Sequence, residues 1–147
     1  MAERNRAESD APDITLEVEP ATVCFLIAKA RAFDAKVGAA EPDDVAQPGE
    51  DEMHDVLEDY GDDPVAEEIR STISDLNEDE QVELVALTWV GRGDFAPDEW
   101  DDALAAAQDR RTGPTADYLL GVPLLGDLLE EGFTALGYSC EDYEVPV

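Results

Sequence analysis

Residues 81–91, QVELVALTWVG, constrain the fold more than any other part of this chain. Asn77 lies just before them as a helix N-cap, and Glu80 follows three residues later, so this capping pattern predicts the start of a helix that ends at Gly91. Apolar side chains would lie on nearly every side of that helix. Because such a helix must be enclosed by other elements, the segment predicts the centre of a helical bundle.

Helical spacing of apolar residues, interrupted by Gly and Pro, predicts further helices on both sides of this segment. We expect helices from about 19 to 37, 51 to 60, 64 to 76, 97 to 111 and 115 to 120, and a last helix between Pro123 and Gly137. The predicted fold is all-α, a single-domain bundle of about five to seven helices with short links and a disordered N-terminus.

The expected organisation has three parts. Residues 1–13 are polar and lack periodicity, which is typical of a disordered leader. Residues 14–137 form the helical domain, within which the acid- and proline-rich residues 38–50 are expected to be a loop. Ile14, Leu16 and Val18 alternate with polar residues and predict an extended lead-in rather than a paired strand. Residues 138–147 form a polar C-terminal tail.

The net charge restricts the partners that this chain can bind. The chain has 38 Asp and Glu residues against 9 Lys and Arg, which gives a formal net charge of -29. Such a surface repels phosphate, so we expect no direct contact with nucleic acid or with an anionic membrane face. It would attract basic proteins, although solubility or adaptation to a salty cytoplasm would produce the same composition.

The two cysteines, Cys24 and Cys140, do not form the framework of a secreted disulfide protein, and this favours the cytoplasm. The first residues contain no apolar signal region, and the longest uncharged run, residues 118–126, is too short to span a bilayer. We therefore predict a cytoplasmic protein without a membrane segment.

Four stretches together resemble a known family: VCFLIAKARAFDAK at 23–36, DVLEDYGDDP at 55–64, LNEDEQVELVALTWVGRGD at 76–94 and TADYLLGVPLLGDLLEEGFTALG at 115–137. They are similar to domain of unknown function 3775, an uncharacterised family found largely in alphaproteobacteria. The resemblance covers about residues 14–137 and implies a small helical cytoplasmic protein. It implies no catalytic residue.

The acidic residues do not predict a metal site or a cofactor. His54 lies within one helical turn of Asp51, Asp55 and Glu58, but one histidine cannot supply the paired Glu-x-x-His motifs of a di-metal bundle. The Asp-rich segments also lack the ligand spacing of a calcium loop.

Two segments are candidate contact surfaces. The first comprises Trp89, Gly91, Arg92, Gly93 and Asp94, where an arginine between glycines could reach a carboxylate or phosphate. A helix C-terminus with Arg92 paired to a nearby acid is the alternative for that segment.

The second surface lies in residues 118–126, YLLGVPLLG, an apolar turn that could receive a partner helix or a small ligand. Its binding candidates are Leu120, Pro123, Leu124 and Gly126, and the alternative is that this turn belongs to the core.

The sequence favours a non-enzymatic protein-interaction or regulatory module that binds another cytoplasmic protein, and that partner could be basic. Mimicry of nucleic acid by the acidic residues 50–63 is the first alternative. A small-molecule or metal-dependent enzyme is the second, and it would need a polar pocket that contains Arg92 or His54.

Overall fold

The computed structural model describes residues 14–40, 63–111 and 113–143, without the side chains of 37–40 and 142. Within these ranges there are two short 3-10 helices, Pro97–Glu99 and Cys140–Asp142, and no strand. The α-helices are α1 (Pro20–Ala40), α2 (Pro64–Ser74), α3 (Glu78–Arg92), α4 (Trp100–Asp109), α5 (Thr115–Leu120) and α6 (Leu125–Ala135). The expected all-α bundle is therefore confirmed for the described residues. The predicted leader, the helix over 51–60 and residues 41–50 of the predicted loop lie outside them.

Helix α3 is the centre of the bundle, as its sequence predicts. Nine consecutive residues, 82–90, are buried. Helix α3 packs against α6, α4 and α5, while α1 packs against α6 and α2, and α2 packs against α5. A helix surrounded in this way can be apolar on all sides, because every side faces another element.

Local capping determines where α2 and α3 begin. Asp63 precedes Pro64, and its carboxylate accepts hydrogen bonds from the backbone N–H groups of Val65 and Ala66. Asn77 and Glu80 form the predicted capping box, in which each side chain accepts from the other residue's backbone N–H. Both caps satisfy donors that the first turn of a helix leaves free.

Four predicted helix ends were wrong, and one of them is that of α4, which ends at Asp109 instead of residue 111. Helix α1 continues to Ala40 instead of ending at residue 37, and α2 ends at Ser74 instead of residue 76. Helix α3 passes through Gly91 to Arg92, and Gly93 ends it with φ 94. Gly93 therefore has the left-handed conformation that favours glycine at a helix C-terminus.

Gly91 is explained by the crossing of α3 and α6. A Cβ atom at Gly91 would lie 1.9 Å from the carbonyl oxygen of Leu128, and one at Gly132 would lie 2.0 Å from the carbonyl oxygen of Leu87. The two backbones are in direct contact at these glycines. Packing against α6, rather than helix termination, accounts for glycine at position 91.

The lead-in before α1 is held by a buried carboxylate on α3. Leu16 and Val18 of this lead-in are buried. Glu83 is 6% exposed, and its carboxylate accepts hydrogen bonds from the backbone N–H groups of Glu17 and Val18 at 2.8–2.9 Å. Burial raises the pKa of Glu83, against the opposing effect of these hydrogen bonds. Its role is to attach the lead-in to the core.

The sequence showed no framework of a secreted disulfide protein, but the structure joins Cys24 and Cys140 in a disulfide. Cys24 is buried on α1, and Cys140 is half-buried at the start of the last 3-10 helix. Next to it, Tyr138 stacks on Phe133, and its hydroxyl donates to the carbonyl oxygen of Ile14 at 3.0 Å. The end of the domain is thus connected to α1 and to the lead-in.

Candidate functional site

A cleft with three arginines lies between the end of α3 and the link from α4 to α5. We call it the arginine cleft and define it by six residues: Trp89, Arg92, Arg110, Arg111, Asp117 and Tyr118. Val85, Ala107 and Pro114 add apolar surface, and the volume is about 600 Å³. This is within the range of small-molecule sites, roughly 300–1,000 Å³.

Arg92 belongs to the cleft and is also paired with an acid. Its Nε and Nη2 atoms donate to Oδ2 of Asp94, at 2.8 and 2.6 Å respectively. This hydrogen bonding raises the pKa of Arg92. The alternative considered for this segment, a helix C-terminus with Arg92 paired to a nearby acid, is therefore the arrangement in the free protein.

Trp89 and Tyr118 form the aromatic part of the cleft. The Trp89 indole Nε1–H donates to the Tyr118 hydroxyl oxygen at 3.0 Å. Trp89 is 6% exposed, whereas Tyr118 is 43% exposed. The ring of Tyr118 is thus fixed at one end and open to solvent.

Arg110 and Arg111 bring positive charge with little compensation. The Arg110 guanidinium carbon lies 5.9 Å from the centre of the Trp89 ring, and no carboxylate in the described ranges forms an ion pair with it. Arg111 donates to Oε2 of Glu78 and to Oε1 of Gln81, both at 3.4 Å. Exposed contacts of that length contribute little.

The local charge of the cleft is opposite to that of the whole chain. Three of the nine Lys and Arg residues line it. The lining carboxylate, Asp117, accepts a hydrogen bond from Arg70 at 3.3 Å and is therefore partly neutralised. An anion in this cleft would contact guanidinium groups, although the overall field of the protein is negative.

The predicted contact segment at 89–94 divides into residues that line the cleft and residues that shape it. Trp89 and Arg92 line it, and Asp94 holds Arg92. Gly91 lies at the crossing with α6, and Gly93 is the C-cap of α3.

The predicted surface at 118–126 also divides. Leu120 is buried at 7% exposure, and a Cβ atom at Gly126 would lie 2.7 Å from Cγ of Arg31, so both positions serve packing. Pro123 and Leu124 are exposed, and Leu124 has φ 59, an unusual conformation for a bulky side chain. The structure does not bring these residues together with Trp89 and Arg92 in one cleft.

Arg110 and Arg111 were not among the site residues predicted from the sequence. Their proximity in a chain with so few basic residues was the available signal. The pattern could not reveal that Gly113 and Pro114 turn the chain so that α5 presents Tyr118 beside them.

The remaining candidate from the sequence is the acidic cluster around His54. His54 and its neighbouring acids lie outside the described residues. Among the residues that the structure describes, no group of three or more His, Cys, Asp or Glu side chains is placed to hold a metal ion. No helix of the described ranges is long and apolar enough to cross a membrane.

Among known families, the model described as "Protein of unknown function (DUF3775)" matches residues 66–138 of the chain. The matched residues, 66–138, therefore belong to this family. The match contains α3, α6 and the whole arginine cleft, while two of the four stretches that suggested the resemblance, 23–36 and 55–64, lie before it. No curated protein and no solved structure matched the chain.

Proposed function

We propose that this DUF3775 protein is a non-enzymatic regulatory module that binds an anionic group in the arginine cleft. The observation that supports the proposal most directly is the clustering of Arg92, Arg110 and Arg111 around one cleft in a chain of net charge -29. Arg92 is paired with Asp94, whereas the guanidinium groups of Arg110 and Arg111 lack strong partners and repel each other. A bound carboxylate or phosphate would relieve that repulsion and accept several of their N–H donors.

The lining favours binding over catalysis. The described lining residues offer guanidinium donors, two aromatic rings, apolar surface, the Thr115 hydroxyl and the Asp117 carboxylate, which is paired with Arg70. They do not include a nucleophile that is hydrogen-bonded to a base, which acyl or phosphoryl transfer through the protein would require. Arg92 does occupy the polar pocket that an enzyme would need, so a small ligand is better supported than it was by the sequence.

The predicted protein partner and cytoplasmic location remain predictions. A partner that presents a carboxylate to the arginine cleft would be compatible with this proposal. The Cys24–Cys140 disulfide weighs against the cytoplasm, because stable disulfides are rare in that reducing compartment. Nucleic-acid mimicry gains no support, since residues 50–62 lie outside the described ranges.

The experiment is isothermal titration calorimetry with sodium phosphate and sodium acetate at low salt. We expect saturable binding of at least one anion, weakened about tenfold or more by the double substitution R110A/R111A, because charge-assisted hydrogen bonds are lost. Arg31→Ala is the matched control, since Arg31 is an exposed arginine paired with Asp127 and Glu130 away from the cleft residues. Equal loss in the control, or no binding to the native protein, would refute the proposal.

A further inference from the structure

We infer that the ligand of the arginine cleft is a molecule with one planar ring system and one phosphate ester, with the ring on Tyr118 and the phosphate between Arg110 and Arg111. This inference rests on the proposed function and specifies its ligand. The shared chemistry is that of a nucleoside monophosphate or of a phosphorylated tyrosine side chain.

The position of Tyr118 supports a planar ring in the ligand. It is one of two exposed large apolar side chains among the described residues, and the other, Leu124, does not line the cleft. The Tyr118 hydroxyl accepts a hydrogen bond from the Trp89 indole at 3.0 Å. The exposed ring is therefore held in place before a ligand arrives, so stacking on it requires little further ordering.

Arg110 and Arg111 have no strong ion-pair partners, which supports a phosphate group as the part of the ligand that contacts them. Asp94 already neutralises Arg92, whereas Arg110 has no ion pair in the described ranges and Arg111 has only 3.4 Å contacts. Two guanidinium groups remain for the ligand. A phosphate monoester carries a charge of about -1.5 to -2 at pH 7, which matches them better than the single charge of a carboxylate.

The dimensions and surroundings favour one phosphate over a chain of phosphates. The cleft volume of about 600 Å³ suits a ligand of the size of one nucleotide. Outside the cleft the surface is strongly acidic, so further phosphates would meet repulsion instead of additional cations.

The test compares four probes by calorimetry on the native protein: adenosine 5′-monophosphate, phosphotyrosine, adenosine and inorganic phosphate. We expect at least one of the first two to bind about tenfold or more tightly than both adenosine and inorganic phosphate. The stronger of the two phosphate esters identifies the source of the ring. Inorganic phosphate binding as tightly as both esters would overturn the inference and leave anion binding intact. Binding of none of the four would overturn both proposals.

Substitutions test the contact with the ligand's ring and the contact with its phosphate separately. Tyr118→Leu should weaken the better ester about tenfold and change phosphate affinity less than about twofold, whereas Tyr118→Phe should retain most of the ester affinity because it keeps the ring. Arg110→Ala should weaken the ester and inorganic phosphate alike. Thermal melts confirm that each variant is folded. An unchanged ester affinity in folded Tyr118→Leu would contradict the ring contact.

Discussion

Loss of the Cys24–Cys140 disulfide should destabilise the domain strongly. The bond joins residues separated by 116 positions, so it closes almost the whole described domain into one loop. The chain-entropy relation for a loop of that length gives about 4.8 kcal/mol at 25 °C, through restriction of the unfolded chain. For a domain of this size that corresponds to a fall in Tm of roughly 10–20 °C.

The assay is thermal and urea denaturation followed by circular dichroism, with and without reductant. We expect reduction to lower the Tm of the native protein to that of Cys140→Ala, and the Tm of this variant to be independent of reductant. This comparison distinguishes the effect of the disulfide bond on the Tm from that of the Cys140 side chain. Titration of two free thiols in the unreduced native protein, or a Tm that does not respond to reductant, would refute the reasoning.

Three further substitutions test the packing and capping contacts. Gly132→Ala should lower the free energy of unfolding by about 1–3 kcal/mol in urea denaturation, because the added Cβ would overlap the Leu87 carbonyl. Gly113→Ala is the control and should be close to neutral, because a Cβ added there meets no atom within 4 Å. Glu83→Ala should cost about 2–3 kcal/mol by the same assay, since two N–H groups of the lead-in lose their acceptor. Asp63→Ala should cost about 1 kcal/mol at pH 7. A hydrogen bond from Lys36 lowers the pKa of Asp63. The stability that the Asp63 carboxylate contributes is therefore present above the ordinary aspartate pKa of about 3.9 and is lost as the pH falls below it. Urea denaturation of the native protein and of Asp63→Ala at pH 2–7 measures this loss.

Local signals predicted much of the fold. The capping box of Asn77 and Glu80 and the Asp63–Pro64 start were correct, because a cap depends on residues within one turn. The burial of 82–90 was also predictable, because a helix with apolar residues on all sides is stable only when other elements surround it. Gly91 was misinterpreted because its role depends on Leu128, which is distant in sequence.

Contacts between residues distant in the chain could not be predicted from the sequence. Two cysteines 116 residues apart carry no local sign that they meet. The arginine cleft combines residues of α3 with those near the start of α5, and only the packing of α4 and α5 against α3 brings them together. Arg92 and Trp89 were identified from their own segment, while Arg110 and Arg111 required the fold.

The most direct test of anion binding in the arginine cleft is a phosphate titration followed by the two tryptophan indole N–H resonances in NMR spectra. Trp89 lines the cleft and donates its indole N–H to Tyr118, whereas Trp100 is buried and does not line the cleft. Trp100 therefore serves as the internal control. We predict that the Trp89 resonance shifts saturably while that of Trp100 stays in place. A Trp89 resonance that does not move, or two resonances that move together without saturation, would contradict the account.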